Sequence, residues 1–279
     1  MNKDDLFLCR SLLFIPSQER FLKKIENNIA DAIIVDLEDA IPDNQKAEAL
    51  QRLYEYLNYN VNCDIFVRVN RKTAIEEISL LNKKDIKGYV IPKVEFLSDI
   101  TDLMPVVQGK MIIALIESPM GIVNLKETVS CSYVHAVAFG AEDFRSYYTE
   151  DIGEHGIIYA KSKMATIARA YNKPAFDSIS LEYKHIESFK AEAFMSKSYG
   201  FSGKLAIHPS QIPAIHEVFR NFDYEYYEYV VEKYDESSEG IIKLDGCVYE
   251  RPHIEMIRRR LQQRPLCRNN KASNNVTSS

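Results

Sequence analysis

Two apolar runs of the sequence end in carboxylates. The run KMIIALIE ends at Glu117, and the next run, VAFGAEDF (residues 137–144), carries Glu142 and Asp143 near its end. Carboxylate oxygens without a cluster of histidines or cysteines suit a hard cation, Mg²⁺ above all. Glu117 and Asp143 lie on consecutive predicted strands and are the best candidate pair. For Glu117 the alternative, an N-cap or first-turn acid before Pro119, is equally compatible with the residues.

Two arginines accompany similar runs, Arg10 in RSLLFIP and Arg68 in DIFVRVN. The planar guanidinium group suits bidentate recognition of a carboxylate, so both are candidates for holding an acidic substrate. A salt bridge to Glu38 or Asp39 is an equally good interpretation for one of them.

Three more ionisable residues, Lys93, Asp177 and His208, lie near the ends of apolar runs. We interpret His208 as a residue that fixes a loop by hydrogen bonding, rather than as a ligand or an acid. Asp177 and Lys93 could equally be members of packing pairs. The five cysteines are scattered and form no CxxC pair, which argues against a disulfide framework and against a cysteine-rich metal site.

Short β-branched runs recur along the chain, and the segments between them have helical periodicity, which is typical of repeated βα units around a parallel sheet. Eight units in 279 residues predict an α/β TIM barrel. A doubly wound open sheet is the rival, but its usual GxGxxG motif is missing, as is a P-loop. The predicted strands are RSLLFIP, AIIVDLED, DIFVRVN, GYVIPKV, KMIIALIE, HAVAFGAED, KPAFDS and GKLAIHP.

The barrel prediction brings the charged residues together. In a TIM barrel the chemistry lies at the carboxyl ends of the strands, and we read the residues above as the ends of these strands. Charges of both signs would then share one barrel mouth, where unpaired burial is costly. Ion pairing and metal binding are the physical ways to stabilise such a mouth.

Composition excludes several classes of function. The net charge of −5 and pI near 5.8 give no general attraction to phosphate backbones, so we expect no nucleic-acid partner. No stretch approaches the roughly 20 apolar residues that span a bilayer, and the N-terminus does not resemble a secretory signal. We therefore expect no membrane association, and a location in the cytoplasm.

The chain after the eighth unit does not fit a barrel repeat. We predict a barrel over residues 1–222, an appended C-terminal helical arm or lid over 223–264, and a disordered tail over 265–279. Within the arm, IIKLDGCVYERPHIEMIRRRL is predicted to begin with a turn and to continue as a helix.

An ordered set of motifs resembles the HpcH/HpaI aldolase and citrate lyase β-subunit family. The motifs are RSLLFIP, DAIIVDLEDAIPDNQKAEA, VRVN, IPKVE, ALIESPMGIVN, VAFGAEDF, PAFDSI and GKLAIHPSQI. The resemblance implies a TIM barrel, usually a homotrimer or homohexamer, that makes or breaks a carbon–carbon bond between an acyl thioester and a 2-keto acid. Its typical substrates are citryl, malyl and citramalyl thioesters of coenzyme A or acyl carrier protein.

The resemblance also implies roles for individual residues. Glu117 and Asp143 would hold Mg²⁺, while Arg10 and Arg68 would grip the keto acid. Glu142 is left as a neighbour of the site, because successive side chains of a strand face opposite ways. The remaining implied positions are Pro119 as a substrate contact, Glu38 and Asp39 around the metal's waters and the arginines, and Lys46 as a partner of these two acids.

One position departs from the family. Active relatives carry an aspartate in a lid pattern G-x-x-x-D-x-P, thought to act as acid or base in a neighbouring subunit's site. Here the stretch is GCVYERP, with Glu250 in that place. We take Glu250 as the candidate acid/base of a Mg²⁺-dependent lyase or synthase. The alternatives are a pyruvate-type aldolase or a malyl-type thioesterase with the same metal site, and a non-catalytic relative that binds keto acids.

Overall fold

The computed structural model describes residues 6–59, 61–150, 152–219 and 224–262. The chain divides into two compact units, one of residues 1–220 and one of residues 221–279. The predicted disordered tail, 265–279, lies outside the described residues.

The first unit is a closed barrel of parallel strands in the order β1 to β8, which confirms the prediction of a TIM barrel. Neighbouring strands pair in sequence, and β8 closes the barrel by pairing with β1. The strands are β1 (Ser11–Pro16), β2 (Ala32–Asp36), β3 (Ile65–Arg68), β4 (Gly88–Ile91), β5 (Met111–Ile116), β6 (Val134–Phe139), β7 (Ala175–Asp177) and β8 (Gly203–Ala206).

Helices follow most strands and cover the barrel. The barrel unit contains α1 (Glu19–Leu22), α2 (Lys46–Tyr56), α3 (Ala74–Leu81), α4 (Ser98–Thr101), α5 (Met104–Val107), α6 (Pro119–Val123), α7 (Leu125–Ser130), α8 (Ala141–Ser146), α9 (Gly153–Ala170), α10 (Ile186–Ser198) and α11 (Ile212–Val218). Single turns of 3₁₀ helix lie at Ile25–Asn27, Asp43–Gln45 and Pro209–Gln211.

The strands are apolar on both faces because each face has its own core. Alternate residues point into the barrel, as Ala32 and Ile34 do on β2, and form the inner cluster. The residues between them, such as Ile33 and Val35, pack against the helices in a larger outer cluster. This alternation decides which side chain at each strand end faces the barrel mouth.

The second unit contains α12 (Tyr224–Glu236), a hairpin of β9 (Ile241–Leu244) and β10 (Cys247–Glu250), and α13 (Arg251–Gln262). Its small core is built around Val230, Ile254 and Ile257. The hairpin contradicts the prediction of a turn that leads directly into a helix. The signal was the Asp245–Gly246 pair, typical of a two-residue hairpin turn, in which both residues have positive φ.

Candidate active site

Glu117 lies at the barrel mouth directly after β5. It continues the inward series of Ile113 and Leu115, and only 4% of its surface is exposed. The N-cap of α6 is Ser118, whose hydroxyl accepts a hydrogen bond from the Gly121 amide at 3.0 Å. Glu117 is therefore not the N-cap of this helix.

The charge of Glu117 is poorly compensated by protein groups. Burial and the nearby charge of Asp143 raise the pKa of Glu117 to about 8, against one hydrogen bond from the Lys93 amide at 2.7 Å. Its Oε2 atom faces Gly140, where an added Cβ would lie only 2.6 Å away. A carboxylate in this environment is stabilised by a cation.

Asp143 reaches the site from a helix, not from a strand. β6 ends at Phe139, and Asp143 lies half-buried in the first turn of α8. The argument that Glu142 and Asp143 point to opposite faces of a strand is thus wrong. Successive helical residues also diverge, and Glu142 is exposed and forms a salt bridge to Arg145 at 2.9 Å.

Arg68 is the last residue of β3 and is held by a carboxylate that sequence analysis did not single out. Its Nε and Nη2 atoms donate to the two oxygens of Asp36 at 2.7 and 2.6 Å. The register places Asp36 opposite Arg68 on the neighbouring strand, and both continue inward-facing series. The signal was available, since Asp36 follows Ala32 and Ile34 at intervals of two.

Glu38 and Asp39 also surround Arg68, whose Nη1 lies 3.4 Å from Glu38 and 3.1 Å from Asp39. Burial alone would lower the pKa of Arg68, but the hydrogen bonds and charges of Asp36 and these two acids raise it above its ordinary value. Burial raises the pKa of Glu38, although Lys93 donates to it at 2.8 Å. The family resemblance implied that Glu38 and Asp39 lie near the arginines, and in the structure both contact Arg68.

Lys46 is not the partner of these two acids. Its ammonium group donates to Asn70 at 2.8 Å and pairs with Asp43 at 2.8 Å. The lysine that pairs with Glu38 is Lys93. Sequence alone could not choose between them, because the choice depends on the loop conformation after β4.

Arg10 does not lie at the mouth, so that part of the prediction is wrong. It precedes β1, and its guanidinium group donates to the carbonyls of Phe7 at 2.8 Å and Ser202 at 2.9 Å. Ser202 precedes β8, which places Arg10 at the amino ends of the strands. The sequence analysis read Arg10 as part of the mouth, at the carboxyl ends of the strands, whereas it lies just before the amino end of β1.

Pro119 is the first residue of α6, and within the described residues it does not line the cavity at the mouth. Asp177 faces outward from β7, fully buried, with Lys161 and Lys204 3.4 and 3.3 Å away, so it belongs to a packing network. His208 caps the 3₁₀ turn through the Ser210 amide, as the structural interpretation predicted.

The cavity at the mouth has a volume of about 410 Å³. Its polar wall includes Asp36, Arg68, Glu117 and Asp143, and its apolar wall is formed by Phe14, Leu115, Phe139, Ile179, Leu205 and Ile207. A smaller cavity of about 240 Å³ shares Glu117 and Asp143 with it. The two carboxylates therefore lie between the cavities, open to a small ligand.

These residues fit a magnesium ion. In the described part of the chain, no three His, Cys, Asp or Glu side chains come together as a full protein ligand set. Mg²⁺ needs only one or two carboxylates, since it keeps waters and substrate oxygens as its other ligands. Glu117 and Asp143 supply that number.

Glu250 lies in the second unit, as the last residue of β10. It is exposed, and its amide donates to Nδ1 of His253 at 3.2 Å. Its role as acid or base stays a prediction.

Known proteins resemble this chain in sequence and in fold. The sequence model of the HpcH/HpaI aldolase/citrate lyase family matches residues 10–209. The chain is 31% identical over 232 residues to a citrate lyase subunit beta-like protein of Deinococcus radiodurans, covering 76% of this chain and 80% of the relative. It is 27% identical over 266 residues to a (3S)-malyl-CoA thioesterase of Cereibacter sphaeroides, covering 90% and 93%.

A third relative, mitochondrial citramalyl-CoA lyase of Homo sapiens, is 28% identical over 242 residues, covering 75% of this chain and 70% of the relative. The structure of CitE from Mycobacterium tuberculosis, in complex with magnesium, acetoacetate and coenzyme A, has a TM-score of 0.73 at 23% identity and covers 92% of this chain and 100% of that one. This likeness shows the fold. With its barrel and its matched motifs, the chain belongs to the HpcH/HpaI aldolase/citrate lyase family.

Proposed function

We propose that this protein is a Mg²⁺-dependent carbon–carbon lyase, or a synthase in the reverse direction. Its substrate is a short β-hydroxyacyl thioester of coenzyme A or acyl carrier protein, and its products are a 2-keto acid and an acyl thioester. The observation that carries the proposal is the meeting of Glu117, Asp143 and Arg68 in one cavity at the barrel mouth. Lyase names among the relatives support the reaction class.

The residues have separate tasks in this reaction. Glu117 and Asp143 hold the cation, and Arg68, fixed by Asp36, binds the carboxylate of the keto acid. When bound, Mg²⁺ polarises the forming carbonyl and offsets developing negative charge. The apolar wall of the cavity excludes water from the acyl portion.

Bond breaking requires two proton movements. The β-hydroxyl group loses its proton, the bond between the hydroxyl-bearing carbon and the α-carbon breaks, and the electron pair passes to the thioester as an enolate. The α-carbon then takes a proton to give the acyl thioester. We assign one of these transfers to Glu250, within a homotrimer or homohexamer that brings a neighbour's lid to each barrel.

A second candidate is a malyl-type thioesterase, favoured by the 27% identical relative that spans 90% of this chain. The same cation and arginine would bind the substrate, but water would attack the thioester carbonyl.

The four described cysteines are unpaired, which supports our placing the protein in the reducing cytoplasm.

One experiment separates these functions. Citryl-, malyl- and citramalyl-CoA are each incubated with the protein and Mg²⁺, and both 2-keto acid and free thiol are measured. A lyase releases keto acid in step with loss of the substrate and keeps the thioester in its second product, so it frees no thiol, whereas a thioesterase frees thiol and leaves the hydroxy acid whole. Binding of Mn²⁺ and pyruvate without either product would instead identify a non-catalytic relative and contradict the lyase.

A further inference from the structure

Lys93 has an unusual backbone conformation at the edge of the metal site. It lies just after β4 with φ of 52°, in the left-handed region that non-glycine residues rarely adopt. This conformation directs its amide to Oε1 of Glu117, at 2.7 Å. Oε2 of Glu117 remains on the side of Gly140, at the start of the helix that carries Asp143.

The strained turn is held from the other side by Arg71. The Arg71 guanidinium group donates to the Lys93 carbonyl at 2.7 Å and to Asp99 at 2.9 Å. Asp99 in turn accepts hydrogen bonds from the amides of Glu95 and Phe96, both at 2.9 Å. Because several bonds fix the loop, the strain at Lys93 persists, as is typical of a functional site.

Whereas the amide of Lys93 contacts Glu117, its ammonium group contacts the acids that follow β2. It donates to Oε1 of Glu38 at 2.8 Å and lies 3.7 Å from Asp39. Both acids also lie against Arg68. Arg68 is already the nearer cation to Asp39, at 3.1 Å, whereas Lys93 is the nearer one to Glu38. Without Lys93, the buried Glu38 would also have Arg68 as its nearest cation, in competition with any anionic ligand in the cavity.

We propose that Lys93 is a positioning residue with two actions. Its amide orients Glu117 so that Oε2 is presented to the cation, and its ammonium group neutralises Glu38, which leaves Arg68 with more positive charge to bind a keto acid. The inference rests on the proposed function, because it assumes the cation and the keto acid.

The amide is tested by two variants that both lack the ammonium group. Glycine adopts the left-handed conformation freely, whereas β-branched valine strongly disfavours it. We expect Lys93→Val to bind Mn²⁺ about tenfold more weakly than Lys93→Gly, in calorimetric titrations of the full chain. Equal affinities of two folded variants would overturn the role of the amide.

The ammonium group is tested by Lys93→Met, which keeps the length of the side chain. We expect Mn²⁺ affinity that is unchanged or higher, since a positive charge is removed, and pyruvate affinity of the Mn²⁺-loaded protein about tenfold lower. Lys93→Arg should recover most of the pyruvate affinity. The control is Lys72→Met, which removes an exposed lysine of a neighbouring loop and should change neither affinity.

The outcomes separate the two proposals. A purely structural role would lower Mn²⁺ affinity, pyruvate affinity and thermal stability together in Lys93→Met, and would overturn the inference. Unchanged pyruvate affinity in Lys93→Met would overturn the proposed role of the ammonium group. If the wild-type protein bound neither Mn²⁺ nor pyruvate, the proposed function itself would fail.

Discussion

Glu117 is buried beside a second carboxylate, and this determines how the protein should bind a cation. Replacing either Glu117 or Asp143 by alanine removes one of the two ligands that we propose for Mg²⁺. We expect Glu117→Ala and Asp143→Ala each to abolish metal-dependent cleavage of the substrate's carbon–carbon bond while the barrel stays folded, because neither group forms a salt bridge within the described residues. Turnover and far-ultraviolet circular dichroism measure the two effects, and undiminished turnover in either variant would remove that residue from the site.

The same carboxylate predicts a pH dependence of metal binding. With a pKa of about 8, Glu117 is mostly protonated at pH 7 in the metal-free protein, so Mg²⁺ must displace about one proton on binding. Apparent affinity should therefore rise up to about tenfold for each pH unit from 6 to 8 and then level off. Calorimetry in buffers of different ionisation enthalpy counts the protons released.

The control for this prediction is Glu117→Gln, in which proton release should disappear.

The raised pKa of Glu117 also determines how the stability of the metal-free protein changes with pH. Because the folded-state pKa of Glu117 is raised, its protonated form contributes stability that is full below the ordinary pKa of 4.5 and is lost as the pH rises through about 8. Saturating Mg²⁺ should reduce that loss, and a pH-independent melting difference with and without metal would contradict the assignment.

Asp36, which the sequence analysis did not single out, forms a bidentate ion pair with Arg68. Asp36→Asn keeps the shape of the side chain but replaces a bidentate ion pair with Arg68 by a single weaker contact. We expect turnover to fall by about a hundredfold, with a matching loss of pyruvate affinity, because Arg68 is no longer held in place. Mn²⁺ affinity should change little; parallel loss of metal binding would show that Asp36 belongs to the cation site instead.

At the scale of elements, the repeat of strand and helix was predictable because a two-sided apolar strand differs clearly from an amphipathic helix. The ends of the strands were less predictable. Arg10 and Glu117 both adjoin apolar runs, but Arg10 precedes its strand whereas Glu117 follows one, and a run of apolar letters alone does not say which end reaches the mouth. The hairpin before Arg251 was missed because its strands are short and half-exposed.

The position of Arg10 at the amino ends of the strands predicts a structural role. Arg10→Ala removes two hydrogen bonds from a charged group to the carbonyls of Phe7 and Ser202, and should lower the free energy of unfolding by about 1–3 kcal/mol. Turnover and pyruvate affinity should remain within about twofold of wild type, since the active ends of the barrel lie opposite. Arg68→Ala is the matched comparison, and it should lose pyruvate binding. Selective loss of pyruvate binding in Arg10→Ala would contradict the structure.

Within the protein as a whole, Glu250 belongs to the second unit, and its part in the chemistry at a barrel is our proposal. Glu250 is exposed at the end of a hairpin strand, and its own backbone amide donates a hydrogen bond to Nδ1 of His253. The family resemblance implies that such a lid serves a neighbouring subunit. We expect Glu250→Gln, which keeps the size but loses the acid, to lower turnover by about a hundredfold or more while Mn²⁺ affinity stays constant.

Mixing two inactive variants tests whether Glu250 acts across subunits. Glu250→Gln subunits retain an intact metal site, and Asp143→Ala subunits retain an intact lid. If lids serve neighbours in a homotrimer or homohexamer, co-refolded equal mixtures contain sites with both intact parts and should recover up to about a quarter of wild-type turnover, because each site draws its barrel and its lid independently. Glu250→Gln mixed with itself is the control. A mixture that assembles, as judged by light scattering, yet recovers no activity would restrict Glu250 to its own subunit or exclude it from the reaction.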